Sequence, residues 1–462
     1  MTSKPGLRTP FRLLRRHHDL RLLLGAGLVS MTGDWLLGVG LTYAVYARTG
    51  STLASAATLL CAFVPQVLAG LVAGVLVDRW DRRRTMIGAN LLLAVGLLPL
   101  VVLDTTDLLW VVYAVLVWES LVEVFFAPAE QALLPVLVGD PLPPPYEPTD
   151  GPLGPPEEPQ EPEEGDLVIA NGLNAQNQQL SRLLGGALGG VAAAWGGVPA
   201  VALADAATFL VATALLLRIR GGRRRDSAVG RPVTEPDATE VVRGRLAALG
   251  AEWGEGWRAS WHRPVVRVLL VFSLVTAVGE GIMGTLFAPY VRDVLGGSAA
   301  ALGLITSAQA VGGIVGGLLV AVAGPRLRPA RMLGVGSVLF GLVDLAIFLY
   351  PLVLVRTWPA VLGMALVGLP AAFLVAGMMT LFQTHTLDAQ RGRVFGLVFA
   401  VRAVAQVAGT TAAGFLGESL GIVPVLAVQG LGYVVAGLMV LVLLREDASE
   451  AAADSQPVGS PL

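Results

Sequence analysis

Twelve stretches of this chain stay apolar for long enough to cross a lipid bilayer, and that repetition leaves few folds open to it. They run at 20–47, 53–77, 85–103, 108–128, 168–195, 199–217, 265–290, 299–323, 330–350, 356–382, 393–416 and 422–444. A helix of about 20 apolar residues spans the hydrocarbon core. Lipid supplies no water to exposed backbone groups, so each run is expected to satisfy itself as an α-helix. Composition agrees: 54% of residues are hydrophobic and 14% charged, against about a quarter charged in a soluble chain. The expected class is an all-α membrane protein with twelve transmembrane helices.

Basic residues give the orientation. On the side that holds the N-terminus, the loops and tails carry 27 lysines and arginines; the opposite side carries only Arg48, Arg292 and Arg356. Positive charge stays on the cytoplasmic face, so both termini are expected in the cytoplasm, with the chain in the plasma membrane. Leu20 to Leu24 lead straight into the first run without a small-residue cleavage site, and no cleavable signal is expected. Arg182 and Arg402 lie inside runs 5 and 11.

The runs fall into two similar sets of six. At a constant offset of 246, Gly33–Asp34 meets Gly279–Glu280, Gly50 meets Gly296, Gly70 meets Gly316, Arg82 meets Arg328 and Met86 meets Met332. Run 5 matches run 11 at an offset of 220, which pairs Arg182 with Arg402, Gly189 with Gly409 and Gly197 with Gly417. The change of 26 between the offsets is close to the length of the tract 140–166, rich in proline and acid, which reads as a disordered insertion. The expected domains are a six-helix bundle at 1–217, a cytoplasmic linker at 218–264, a second six-helix bundle at 265–445 and a disordered tail at 446–462. Within the linker Leu246, Leu249, Trp253, Trp257 and Trp261 share one face of a helix, suited to lying along the membrane surface. Parallel repeats of this kind are a ground plan of secondary transporters.

Other classes find no support. Cys61 is the only cysteine, and the four histidines, His17, His18, His262 and His385, do not cluster. No metal site or disulfide is expected. There is no G-x-x-x-x-G-K-S/T loop and no nucleophile–base arrangement, so neither an enzyme nor an ATP-driven pump is expected, and no cofactor. The expected partners are a small-molecule substrate and membrane lipid, with no nucleic acid, for a monomeric chain.

The segment between runs 2 and 3 reads Gly70-Leu-Val-Ala-Gly74-Val-Leu-Val-Asp78-Arg79-Trp80-Asp81-Arg82-Arg83-Arg84. It resembles the helix 2–3 signature of the major facilitator superfamily, G-x-x-x-D-R/K-x-G-R-R. Gly74, Asp78, Arg79, Arg82 and Arg83 match, and Asp81 stands where the second glycine is usual. The resemblance extends over nearly the whole chain and implies the major facilitator fold, two six-helix bundles that rock about a central cavity. It implies a cytoplasmic latch at this loop, in which the acid caps a neighbouring helix and the basic residues pair across the interface between halves. Ser30-Met-Thr-Gly33-Asp34, Phe126-Ala-Pro128-Ala129, Ala170-Asn171 and Arg182-Leu-Leu-Gly185 are similar to the drug-exporter branch that includes macrolide and enterobactin exporters. The arginine-containing helix 4 motif of other proton-coupled exporters is absent, with Trp118-Glu119 in that region.

Glycine doublets recur in runs 5 and 8: Gly185, Gly186, Gly189 and Gly190, and Gly312, Gly313, Gly316 and Gly317. A spacing of four sets each group on one face, where backbones can approach closely. In the family fold these two helices meet between the bundles, so the doublets are expected to form a sliding contact, although static packing would use the same residues.

Ionisable side chains inside membrane helices cost roughly 2.5–3.5 kcal/mol each and are functional candidates by default. The candidates for coupling proton and substrate are Asp34, Glu119, Glu123, Glu280, Arg182 and Arg402. Glu119 and Glu123 are four apart and share a helical face, so one of the pair is expected to carry a proton. Helices 1, 4, 7 and 10 line the family's cavity, and they hold all four acids. Permanent pairing with Arg182 or Arg402 is the competing role. Asp205 and Asp344 are expected near outer helix ends, as snorkelling or capping residues. The chain therefore reads as a secondary exporter of amphipathic or cationic compounds by proton antiport. An exporter of an anionic siderophore or metabolite, bound by Arg182 and Arg402, is the alternative on the same fold; a membrane sensor or scaffold is the alternative outside it.

Overall fold

The computed structural model describes residues 9–77, 80–102, 109–138, 164–220, 263–386 and 391–444. Asp78 and Arg79 lie outside the described residues, as do most of the insertion 140–166, most of the linker 218–264 with its surface helix, and the tail 446–462. The described residues are helical throughout, without a strand.

After a short helix at Thr9–Arg16, the membrane helices are α1 (His18–Thr49), α2 (Thr52–Val77), α3 (Arg82–Gly96, prolonged by Leu98–Val102), and α4 (Leu109–Glu123, prolonged by Phe126–Val138). A single helical run, Glu164–Arg218, follows and breaks at Gly197, where φ 62° and ψ −153° leave the helical region. A straight helix of 50 apolar residues would measure about 75 Å, far beyond a bilayer core of about 30 Å. The run therefore makes two crossings, α5 (164–196) and α6 (198–218). The second set is α7 (Pro264–Pro289, closed by a π turn at Tyr290–Val294), α8 (Ala299–Ala323), α9 (Pro329–Leu349), α10 (Trp358–His385), α11 (Arg391–Ser419) and α12 (Ile422–Leu443). With the kinked run counted twice, the apolar spans among the described residues number twelve.

Local chemistry sets the ends. The Asp81 side chain accepts a 2.8 Å bond from the Arg84 backbone N–H and caps α3. Gly50 and Gly296 stop their helices at φ 64° and 63°, the left-handed turn that glycine enters without steric cost. These two are partners in the 246 offset, so the repeat holds in the backbone as well as in the sequence. Helix α4 runs ten residues beyond the expected end at 128. Pro128 has no N–H for the carbonyl of residue 124, so the helix jogs at 124–125 and resumes.

Contacts separate two compact units, 1–37 with 65–185 and 198–232, and 38–64 with 186–197 and 233–462. In the first, α3 packs against both parts of α4, and α5 is tied to α1 by Asn177 and Ser181, which donate to the Leu24 and Leu28 carbonyls. In the second, α7 packs on α11 and α12, α8 on α10, and α9 on α10 and α12. Its core has one layer around Leu286, Tyr290, Phe348 and Leu426 and another around Leu269, Phe272, Phe382 and Val440. Leucines and valines such as Leu318, Leu362 and Val442 face outward. Lipid tails are as apolar as these cores, so the helices cohere by close packing and interhelical bonds more than by transfer from water.

Candidate functional site

Helix α1 carries the centre of the site. Asp34 is half-buried and lies within Coulombic reach of Glu123, Asp205, Glu119 and Glu130. Three of these five acids, Asp34, Glu119 and Glu123, are the ones expected from the sequence; the structure brings them together in the first unit. Glu119 is 9% exposed, and its Oε1 makes no hydrogen bond among the described residues.

Asp205 and Glu130 were outside the expected site. Asp205 is fully buried on α6, not at a helix end: α6 starts directly at the Gly197 break, so residue 205 already lies about 12 Å along it. Its Oδ1 accepts a 3.1 Å bond from Thr208 Oγ1, and its Oδ2 has no partner among the described residues. Glu130 sits on the continuation of α4, 5% exposed, with Oε1 likewise without a partner. The signal was present in the sequence as an acid inside an apolar run, but run 4 was closed at 128.

Glycines make room for both acids. A Cβ on Gly33 would fall onto Asp205 Oδ1 and Thr208 Oγ1, and a Cβ on Gly27 would lie 2.6 Å from Glu130 Oε1. Beside them the Arg182 guanidinium stacks over the Trp35 ring, 5.0 Å from its centroid.

In the second half the matching glycine meets two neutral side chains. Gly279 abuts Gln429 and Tyr433 of α12, just as Gly33 abuts Asp205 and Thr208 of α6. Glu280 is held by Arg402 at 2.6 Å and receives a 3.4 Å bond from Tyr433 Oη. Glu280 and Arg402 are therefore paired with each other. Asp344 does lie near the end of α9, but it is 2% exposed and accepts a 2.8 Å bond from Gln429 Nε2 instead of snorkelling outward.

The expected latch residues Arg82 and Arg83 bond inside the first unit. Arg82 donates to the Ala132 carbonyl at 2.9 Å, and Arg83 to the Leu216 and Leu217 carbonyls at 2.8 and 2.7 Å. The carbonyls that Arg83 takes at the end of α6 are groups a helix terminus leaves unsatisfied. Gly74 lies within α2.

The glycine doublets divide among three neighbours. A Cβ on Gly185 would strike α1 at Thr32 and Trp35. Gly186 and Gly190 face α8, but Gly186 meets it at Ser307 and Gly303, and Gly190 at Ala299, Ala300 and Gly303. Gly312, Gly313 and Gly316 pack instead against Ala365, Gly368 and Leu369 of α10, and Gly317 has open space. The α5–α8 contact thus exists, but Gly303 and its neighbours rather than the α8 doublets make it, because those doublets are turned toward α10.

Comparison with known proteins places the chain among transporters. The sequence profile described as Major Facilitator Superfamily matches residues 23–144 and 269–460. The enterobactin exporter EntS of Citrobacter koseri is 25% identical over 454 residues, covering 97% of each chain. Macrolide efflux protein A of Streptococcus pyogenes is 23% identical over 403 residues, covering 85% of this chain and 88% of its own. Among solved structures, a bacterial homologue of the iron transporter ferroportin superposes with a TM-score of 0.68 at 15% identity, covering 93% of this chain and 99% of that one.

Proposed function

The chain belongs to the Major Facilitator Superfamily, a family of transporters rather than enzymes, and from that membership we propose that it exports small amphipathic or cationic compounds from the cytoplasm in exchange for protons. The reading rests on one observation above all: Glu119, buried in the membrane with an unpartnered carboxyl oxygen, stands among four other acids.

A carboxylate at this depth is costly unless a proton or a cation neutralises it. Acids grouped this closely compete for the same neutralising charge. Occupation by a proton and by a cationic substrate are then mutually exclusive, and alternation between them is antiport. In the second half Arg402 already neutralises Glu280, so coupling is assigned to the first. Glu119, Glu123 and Asp34 hold the exchanged charge, and apolar walls supply weak, promiscuous affinity. The excess of basic residues on one side supports cytoplasmic termini in the plasma membrane. Export is the direction named for both similar proteins above.

The similarity to an enterobactin exporter supports a second reading, a siderophore cargo. Proteoliposomes with an imposed pH gradient separate the two. Ethidium moved against the proton gradient, and lost in Glu119→Gln/Glu123→Gln, is the expected result. Transport of an anionic catecholate with no ethidium movement would favour the siderophore. Undiminished ethidium transport by the double variant would remove these acids from the mechanism.

A further inference from the structure

We propose that Glu130 and Asp205 are proton-carrying residues, which extend the site of Glu119, Glu123 and Asp34 into a line of carboxyls laid along α1. The proposal rests on the antiport reading above and concerns two acids that reading does not use.

The geometry is specific. Gly27 and Gly33 are six residues apart on α1, about 9 Å along its axis. Each is the place where a carboxyl from another helix enters: Glu130 of α4 at Gly27, and Asp205 of α6 at Gly33. In both positions the oxygen occupies space that any Cβ would need. Both acids are at least nine-tenths buried, and each has an oxygen without a partner among the described residues. An acid placed only to brace two helices would be bonded to donors. Asp205 has one donor, Thr208, on one oxygen only.

Asp34 links the two positions, since Glu130 and Asp205 both lie within its Coulombic reach, and Asp205 is within reach of Glu119 and Glu123 as well. Other charged groups among the described residues lie on the helices around this line. On α4 they are Glu119 and Glu123; on α5, Arg182, stacked on Trp35; on α3, Arg82, committed to the Ala132 carbonyl two residues from Glu130. A proton accepted by the Glu130 carboxylate can pass to Asp34 and on to Asp205 by way of bridging water. Each transfer breaks one carboxyl O–H bond and forms the next, so the line carries protons without net change in itself. Glu130 stands at the end of the line toward the N-terminus of α1, and Asp205 at the deeper end beside Asp34.

The test uses full-length protein in proteoliposomes with a trapped pH-sensitive dye and ethidium as the probe. Two rates are read: ethidium movement driven by a pH gradient, and ethidium counterflow, which needs no net proton transfer. Wild type without gradient-driven movement would sink the antiport reading itself, before any variant is compared. With wild type active, Glu130→Gln and Asp205→Asn should each lose about tenfold or more of the gradient-driven rate while keeping counterflow. Glu130→Asp and Asp205→Glu should recover part of it with an altered pH profile. Gradient-driven rates and pH profiles like wild type in both neutral variants would overturn the proposal. So would equal loss of both rates in protein that remains monodisperse, since that marks a bracing role.

Discussion

Arg292 bonds to its own repeat counterpart. Its Nη1 donates to the Tyr46 carbonyl at 3.0 Å, with the guanidinium 5.7 Å from the Tyr46 ring centroid, and 292 is 46 advanced by the repeat offset of 246. Two equivalent positions of the repeat are thus in direct contact. The neighbouring bonds thicken this junction within the second unit: Tyr46 Oη donates to Asp293 at 2.5 Å, Tyr43 Oη to the Gly297 carbonyl at 3.0 Å, and Ser51 Oγ to Glu418 at 2.6 Å.

Arg292→Ala removes a charge-assisted bond and a cation–π contact, a loss of about 1–3 kcal/mol. A lower melting temperature in detergent is expected. Tyr46→Phe, which keeps the ring and the carbonyl but drops the Asp293 bond, should lower it less. Equal effects from the two variants would assign the junction to the Asp293 bond instead.

Gly33→Ala forces a methyl group onto Asp205 and Thr208 and should destabilise by about 1–3 kcal/mol. Gly38→Ala, five residues on along the same helix, meets nothing within 4 Å and should be neutral or stabilising, because alanine favours helix. The pair separates close approach from propensity when melted side by side.

Breaking the Glu280–Arg402 pair leaves one charge without its counter-ion. Both side chains are partly exposed, 41% and 27%, so Arg402→Gln should cost about 1 kcal/mol, near the range of solvent-screened pairs. Glu280→Gln/Arg402→Gln should regain most of that in a thermal melt. A double variant weaker than the sum of the singles would contradict simple pairing.

Gly190→Ala places a Cβ 2.6 Å from the Ala299 carbonyl, while Gly317→Ala enters open space. The first should slow transport and lower stability, and the second should do neither. Equal transport in both would show that the α5–α8 contact tolerates separation.

Helix positions and the two-set repeat were legible in the sequence because apolar length and a constant offset are one-dimensional signals; Gly50 and Gly296 keep that offset down to matching φ. Neighbour choice was not. The doublets of α8 show which residues share a face, and spacing does not say which helix that face meets, so Gly303 went unnoticed. Asp205 was assigned to a helix end from its nearness to a loop in the chain. The Gly197 break removes the loop before α6 and carries Asp205 to the depth of Asp34. Glu130 was missed because Pro128 was taken as the end of a helix that in fact only jogs there.

The Gly197 break also has a mechanical meaning. Two membrane crossings meet at a single hinge residue, so no slack separates them. A rotation of α5 cannot be absorbed by intervening chain and must either twist that hinge or drag the base of α6, and Asp205 rides on α6 eight residues away. The fold thereby ties the angle of that break to the seat of the carboxyl that touches Gly33.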